Sequence, residues 1–102
     1  MVLVGDSTMA PRTGYGDALC GLFRWQVDCL NLARGGRSTK SFRADGSWER
    51  VTAALADRSR PAYVLIQFGH NDQPGKPERS TDLEREFPAN LARYVDEVRE
   101  AD

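Results

Sequence analysis

Histidine is almost missing from this chain of 102 residues, with His70 as its single example. Cysteine is nearly as scarce. Cys20 and Cys29 are the two present, with no Cys-x-x-Cys, so the ligand count falls short of a zinc cage. No apolar run reaches the roughly eighteen residues that a membrane-spanning helix needs. An excess of charge is missing too: 14 Lys and Arg against 15 Asp and Glu leave a net charge of -1. That balance argues against a broadly basic nucleic-acid binder and against steering by overall charge. The start, Met1-Val2-Leu3-Val4, has no basic n-region or cleavage site and so no signal peptide. The chain is then expected to be cytoplasmic if complete, and exported if its N-terminus is trimmed. What is present is ordinary for a folded domain, with 40% hydrophobic and 28% charged residues, and the length suits one small domain. Cys20 and Cys29 are expected as small, buried, reduced residues, because nothing else in the sequence demands an oxidising compartment.

Three apolar runs read as strands: Val2 to Val4, Trp25 to Leu32, and Tyr63 to Phe68. The third is unbroken, as expected of a strand buried on both faces of a parallel sheet. Helical spacing separates the runs. Leu19, Leu22 and Phe23 mark one helix, and Trp48, Val51, Ala54 and Leu55 mark a second behind Ser47 as its cap. A third is expected from about Pro88 to Glu100, with Leu91, Tyr94, Val95 and Val98 on one stripe. The pattern β-α-β-α-β-α predicts an α/β fold with a doubly wound parallel sheet. Ligands of such sheets bind beyond the carboxyl ends of the strands. The turns to read are therefore Gly5 to Met9, Ala33 to Ser41, and Gly69 to Asp72.

Gly5-Asp6-Ser7-Thr8-Met9 places a serine hydroxyl where unpaired backbone N–H groups gather, an arrangement that suits a nucleophile next to its own oxyanion donor. Taken alone, the turn reads more simply as a polar cap. It is not the Gly-x-Ser-x-Gly elbow, because Met9 stands at the last position. Gly35-Gly36 allow close approach of backbone to a ligand, but Thr39-Lys40 and Arg34 do not fit a phosphate-binding P-loop. Arg34, Arg37, Lys40 and Arg43 are four cations with no acid between them, which is ordinarily a solvated face and also suits an anionic substrate. In Gly69-His70-Asn71-Asp72, Asn71 can donate its amide to a developing oxyanion and Asp72 can anchor the loop. A lone histidine in a turn is more often structural than a general base.

In order, these three turns resemble the first three sequence blocks of the SGNH, or GDSL-type, hydrolase superfamily. Thr8, Gly36-Arg37-Ser38 and Gln67-Phe68-Gly69-His70-Asn71-Asp72 are similar to its rhamnogalacturonan acetylesterase branch, as are Arg79-Ser80-Thr81-Asp82 and Phe87-Pro88-Ala89-Asn90. The resemblance implies a three-layer flavodoxin-like fold and hydrolysis of an acetyl or other acyl ester on a carbohydrate, with no metal or organic cofactor. Ser7 would be the nucleophile and would supply the first oxyanion N–H. Gly36 would supply the second N–H, and Asn71 the side-chain donor. Asp6, His70 and Asp72 would support their turns, while Arg37 and Lys40 would contact an acidic, pectic substrate. No nucleic acid or membrane is implied.

One part of the pattern is missing. The family completes its triad with an Asp-x-x-His motif near the C-terminus, and no histidine follows His70 here. Residues 1–102 are therefore expected to be the N-terminal portion of a single SGNH domain, inactive alone, broken off after about three β-α units. The third strand would then be an open apolar edge, and the chain would self-associate through it. The competing expectations are a non-catalytic module that binds carbohydrate or a partner, and an enzyme whose histidine comes from another chain.

Overall fold

The computed structural model describes residues 1–23, 27–56 and 62–101. Among these, β1 (Val2–Gly5), β2 (Leu30–Asn31) and β3 (Val64–Gln67) form a parallel sheet in the order β2-β1-β3. Helix α1 (Gly16–Gly21) joins β1 to β2, while α2 (Ser41–Ala44) and α3 (Ser47–Leu55) lie between β2 and β3. A 3₁₀ turn, His70–Asp72, and the long helix α4 (Glu86–Glu100) follow β3. The α/β expectation holds, and the strand order matches the first three strands of a flavodoxin-like sheet.

Alternation along β1 sends its side chains to two faces. Val2 and Val4 pack with Phe42, Trp48, Val51, Leu55 and Tyr94, and the half-buried Val64 and Ile66 of β3 join them. An aromatic chain runs through this core: Tyr94 lies 4.7 Å from Trp48 and 5.6 Å from Phe68, which lies 5.4 Å from Phe42 between ring centres. Leu3 points the other way, into a smaller cluster with Met9, Ala10 and Ala33, edged by Leu19, Cys20 and Cys29. The result is three layers, with α1 on one side of the sheet and α2, α3 and α4 on the other.

Several details depart from the sequence expectation. Cys20 and Cys29 are not free thiols but a disulfide, because α1 and the approach to β2 bring their Cα atoms to 5.4 Å. The second strand is Leu30–Asn31 and no longer among the described residues, and Trp25 lies outside them. The third strand is not buried on both faces: Val64 and Ile66 are half-buried on one, while Leu65 is 38% exposed and Tyr63, just before the strand, 71%. Ser47 is the first residue of α3 and not its cap. Gly46, at φ +85°, occupies the cap position, and the Asp45 carboxylate accepts the Ser47 N–H at 2.9 Å. Helix α4 starts two residues before Pro88, which sits in its first turn as the missing N–H requires. On its stripe Tyr94 is fully buried, but Val95 is 37% exposed.

Candidate active site

The three turns singled out from sequence all leave the carboxyl ends of the parallel strands. The first is tightly made. Asp6 is fully buried, its Oδ1 accepting the Thr8 N–H at 3.0 Å and its carbonyl accepting Met9 and Ala10 N–H. Ser7, half-buried, stands at the head of this turn. The chain then loops back on itself: Tyr15 N–H donates to the Thr8 carbonyl and Gly16 N–H to the Met9 carbonyl. Gly14 permits that return, since a Cβ there would lie 2.5 Å from the Ser7 carbonyl oxygen. Asn31 at the end of β2 closes the loop by donating to the Met9 carbonyl at 3.0 Å.

The second turn is tied to the first. Arg34 N–H donates to the Gly5 carbonyl at 3.0 Å, and Gly35 follows so closely that a Cβ there would be 3.7 Å from that of Ser7. Gly36 has φ +77°, a conformation that side chains disfavour. The Ser38 hydroxyl then accepts the Lys40 and Ser41 N–H groups and shapes the entry to α2.

The third turn starts at Gly69, with φ +141°, and carries His70, Asn71 and Asp72. His70 is exposed, whereas Asn71 is buried and its Nδ2 donates to the Arg37 carbonyl at 2.9 Å. Asp72 is fully buried and accepts from three groups: the Thr39 N–H, the Thr39 hydroxyl, and the Thr81 hydroxyl at 2.9 Å. A buried carboxylate needs such donors to replace lost hydration. Thr39 is held in turn by α4. Asn90 Nδ2 donates to its hydroxyl at 3.1 Å, and the Tyr94 hydroxyl donates to its carbonyl at 2.7 Å. Burial raises the Tyr94 phenol to about 12, so it stays a donor throughout the neutral range.

The candidate residues are therefore unequally placed. Ser7, Gly36 and Asn71 sit on turns joined by direct contacts, with Asp6 and Asp72 buried beneath them. The four cations do not form one solvated face. Arg37 pairs with Asp45 at 2.7 Å and donates to the Gly35 carbonyl, and Lys40 donates to the Pro77 carbonyl. Arg43 pairs with Glu97 and lies 4.6 Å from the centre of the Tyr94 ring. Thr39, Thr81, Asn90 and Tyr94 are the supports that reading residue types missed. Thr81 and Asn90 did lie in stretches that resembled the family. Among the described residues, no group of three or more His, Cys, Asp or Glu could hold a metal ion.

Comparison with known proteins agrees with the motifs. No family model matches the chain. The chain is 40% identical to the rhamnogalacturonan acetylesterase RhgT of Bacillus subtilis over 96% of its own length and 43% of that protein. It is 32% identical to the probable rhamnogalacturonan acetylesterase YesY of the same organism, over 96% of itself and 47% of the relative. A rhamnogalacturonan acetylesterase of Emericella nidulans is 41% identical over 69% of the chain and 27% of the relative. The chain thus spans less than half the length of these curated relatives, all of which are named acetylesterases and hence carboxylic ester hydrolases. By motif and by alignment, this chain is a relative of the rhamnogalacturonan acetylesterases of the SGNH type.

Proposed function

We propose that this chain carries the nucleophile and the oxyanion donors of a serine esterase that removes acetyl groups from a pectic polysaccharide. One observation carries the reading: the second turn is bonded to the Ser7 turn through the Arg34 N–H and the Gly5 carbonyl and, through the Arg37 carbonyl, holds Asn71. In this reading the Ser7 hydroxyl attacks the ester carbonyl. The Ser7 and Gly36 N–H groups and the Asn71 amide then take up the developing negative charge. The sugar hydroxyl leaves, and water releases acetate from the acyl-enzyme. Asn71 exchanges its bond to the Arg37 carbonyl for one to the oxyanion. Asp6, His70 and Asp72 keep their turns in shape.

An imidazole must accept the serine proton, and His70 is exposed on the third turn. We assign that task to an Asp-x-x-His segment outside residues 1–102, which makes this chain the N-terminal portion of one hydrolase domain. The decisive assay measures acetate release from acetylated rhamnogalacturonan by the chain extended with such a segment. Ser7→Ala is expected to lower kcat at least about 10³-fold, and Asn71→Ala about 10²-fold with KM little changed. Retained activity in Ser7→Ala would refute the nucleophile. Without the extension, the open edge of β3, with Leu65 and Tyr63 beside it, is expected to make the chain self-associate. Size-exclusion chromatography with light scattering checks this, and a monodisperse monomer at high concentration would count against it.

A further inference from the structure

A site for a pectic ester has to tell a charged saccharide from a neutral one. The sequence pointed to Arg37 and Lys40, but the structure has both engaged, Arg37 with the Asp45 carboxylate and Lys40 with the Pro77 carbonyl. Another cation reaches the same turn. Arg79, half-buried in the segment between the 3₁₀ turn and α4, donates from Nη1 to the Gly36 carbonyl at 3.3 Å. A Cβ on Gly36 would lie 3.5 Å from that nitrogen. The bond engages one donor of a guanidinium that has five. Among the described residues, Arg79 is the cation that touches the Gly35-Gly36 turn without a carboxylate partner.

Its neighbours keep it in place. Arg79 N–H donates to the Lys76 carbonyl at 3.0 Å, and Thr81, two residues on, is fixed to Asp72 through both its hydroxyl and its N–H. The guanidinium thus lies beside Gly36, one residue on from the Gly35 that faces Ser7. A planar fork with free donors suits one ligand class above others, a carboxylate bound by two parallel hydrogen bonds.

We propose that Arg79 binds a carboxylate of the saccharide, that is, a uronate residue next to the acylated sugar, and so sets a preference for acidic over neutral acyl-saccharides. This rests on the esterase reading for the position of the ester, but not for the binding itself. The experiment therefore measures binding to the chain extended with the Asp-x-x-His segment, by calorimetry and by ¹⁵N chemical shifts. The probes are a deacetylated rhamnogalacturonan oligosaccharide and the same oligosaccharide with its carboxyls reduced to alcohols. The wild-type chain should bind the acidic probe about tenfold more tightly than the reduced one. Arg79→Gln should abolish that preference, Arg79→Lys should restore part of it, and Arg50→Gln, an exposed charge on α3, should leave it intact.

Equal binding of the two probes by the wild type would overturn the proposal, as would a preference that survives in Arg79→Gln. Failure of the wild type to bind either probe would also overturn it. An unchanged ¹⁵N spectrum away from residue 79 establishes that Arg79→Gln is folded; if it is not, Arg79→Lys supplies the test, with an undiminished preference counting against the fork. The two readings fail separately. If Ser7→Ala in the extended enzyme keeps its activity while Arg79→Gln still loses the acidic preference, the nucleophile assignment falls and the carboxylate site stands.

Discussion

On one face of the sheet Val2 and Val4 meet three helices and a chain of four aromatic rings, and on the other Leu3 meets a helix of six residues. The register places Leu65 of β3 beside Leu3 on the sparse face, where it remains 38% exposed. The crowded face buries enough apolar surface to hold its elements by packing. The sparse face is held by other means: the Cys20–Cys29 disulfide and the bonds from Asn31 to Met9 and Asp17. The candidate site draws on both. Ser7 belongs to the loop that returns over the sparse face, whereas Asn71 and Asp72 are braced by α4 on the crowded one. Ser7 and Asn71 therefore rest on foundations of different kinds, which can be disturbed one at a time.

The largest effect is expected on the crowded face. Tyr94→Ala removes a fully buried ring between Trp48 and Phe68 and should destabilise the chain by about 3–5 kcal/mol in denaturant titration. Tyr94→Phe keeps the ring and removes only the donor to the Thr39 carbonyl, for a loss of roughly 1 kcal/mol. If the two substitutions cost the same, packing is not what holds this face.

Breaking the disulfide comes next. For a loop this short, chain entropy predicts a loss of about 2–3 kcal/mol in Cys20→Ser/Cys29→Ser. The position of the loss matters more than its size. Hydrogen exchange should quicken at the N–H groups of Ala10, Tyr15 and Gly16, which close the Ser7 loop, more than at those of Asp72 and Thr81. Equal quickening at both sets would show that the two faces open as one unit.

This contrast also marks what could be read from sequence. The crowded face was legible because its apolar residues recur with clean periods, as in Trp48, Val51 and Leu55 of α3 and Tyr94 and Val98 of α4. The three turns were legible because glycine and polar residues cluster directly after strands. The sparse face was not. Its strand pairs over two residues, and its cysteines become partners only through the fold, which spacing alone does not dictate. The supports of the site were hidden for a similar reason. Thr39 and Asp72 are 33 residues apart and Thr39 and Tyr94 are 55, and nothing local to a threonine reveals that its carbonyl will meet a phenol. The four cations misled in the opposite direction, because the acids that neutralise Arg37 and Arg43 are Asp45 and Glu97, both outside the run.

The smallest expected effect follows from that last pairing and belongs to the crowded face alone. Glu97 on α4 accepts from Arg43 Nη1 at 3.1 Å, from Trp48 Nε1 at 2.9 Å and from Arg93 Nε at 2.9 Å, with Arg43 Nη2 3.0 Å away in the ion pair, and so joins α2, α3 and α4. The Arg43 hydrogen bond is the main cause that holds its carboxyl below the ordinary 4.5; burial opposes it, and the Trp48 bond assists. A carboxyl depressed in the folded state binds its proton more readily when unfolded. Its stabilisation is therefore complete above about pH 4.5 and is lost as pH falls through the folded value. With Glu97 partly open to solvent, the contribution is on the order of 1 kcal/mol or less. Glu97→Gln keeps an oxygen for the indole and removes the titration. Melting curves of both chains between about pH 6 and 3 should thus run parallel down to about pH 5 and converge below it, the wild type losing the larger share of its stability. Parallel curves over the whole range would mean that the Arg43–Glu97 pair adds nothing to the packing beneath it.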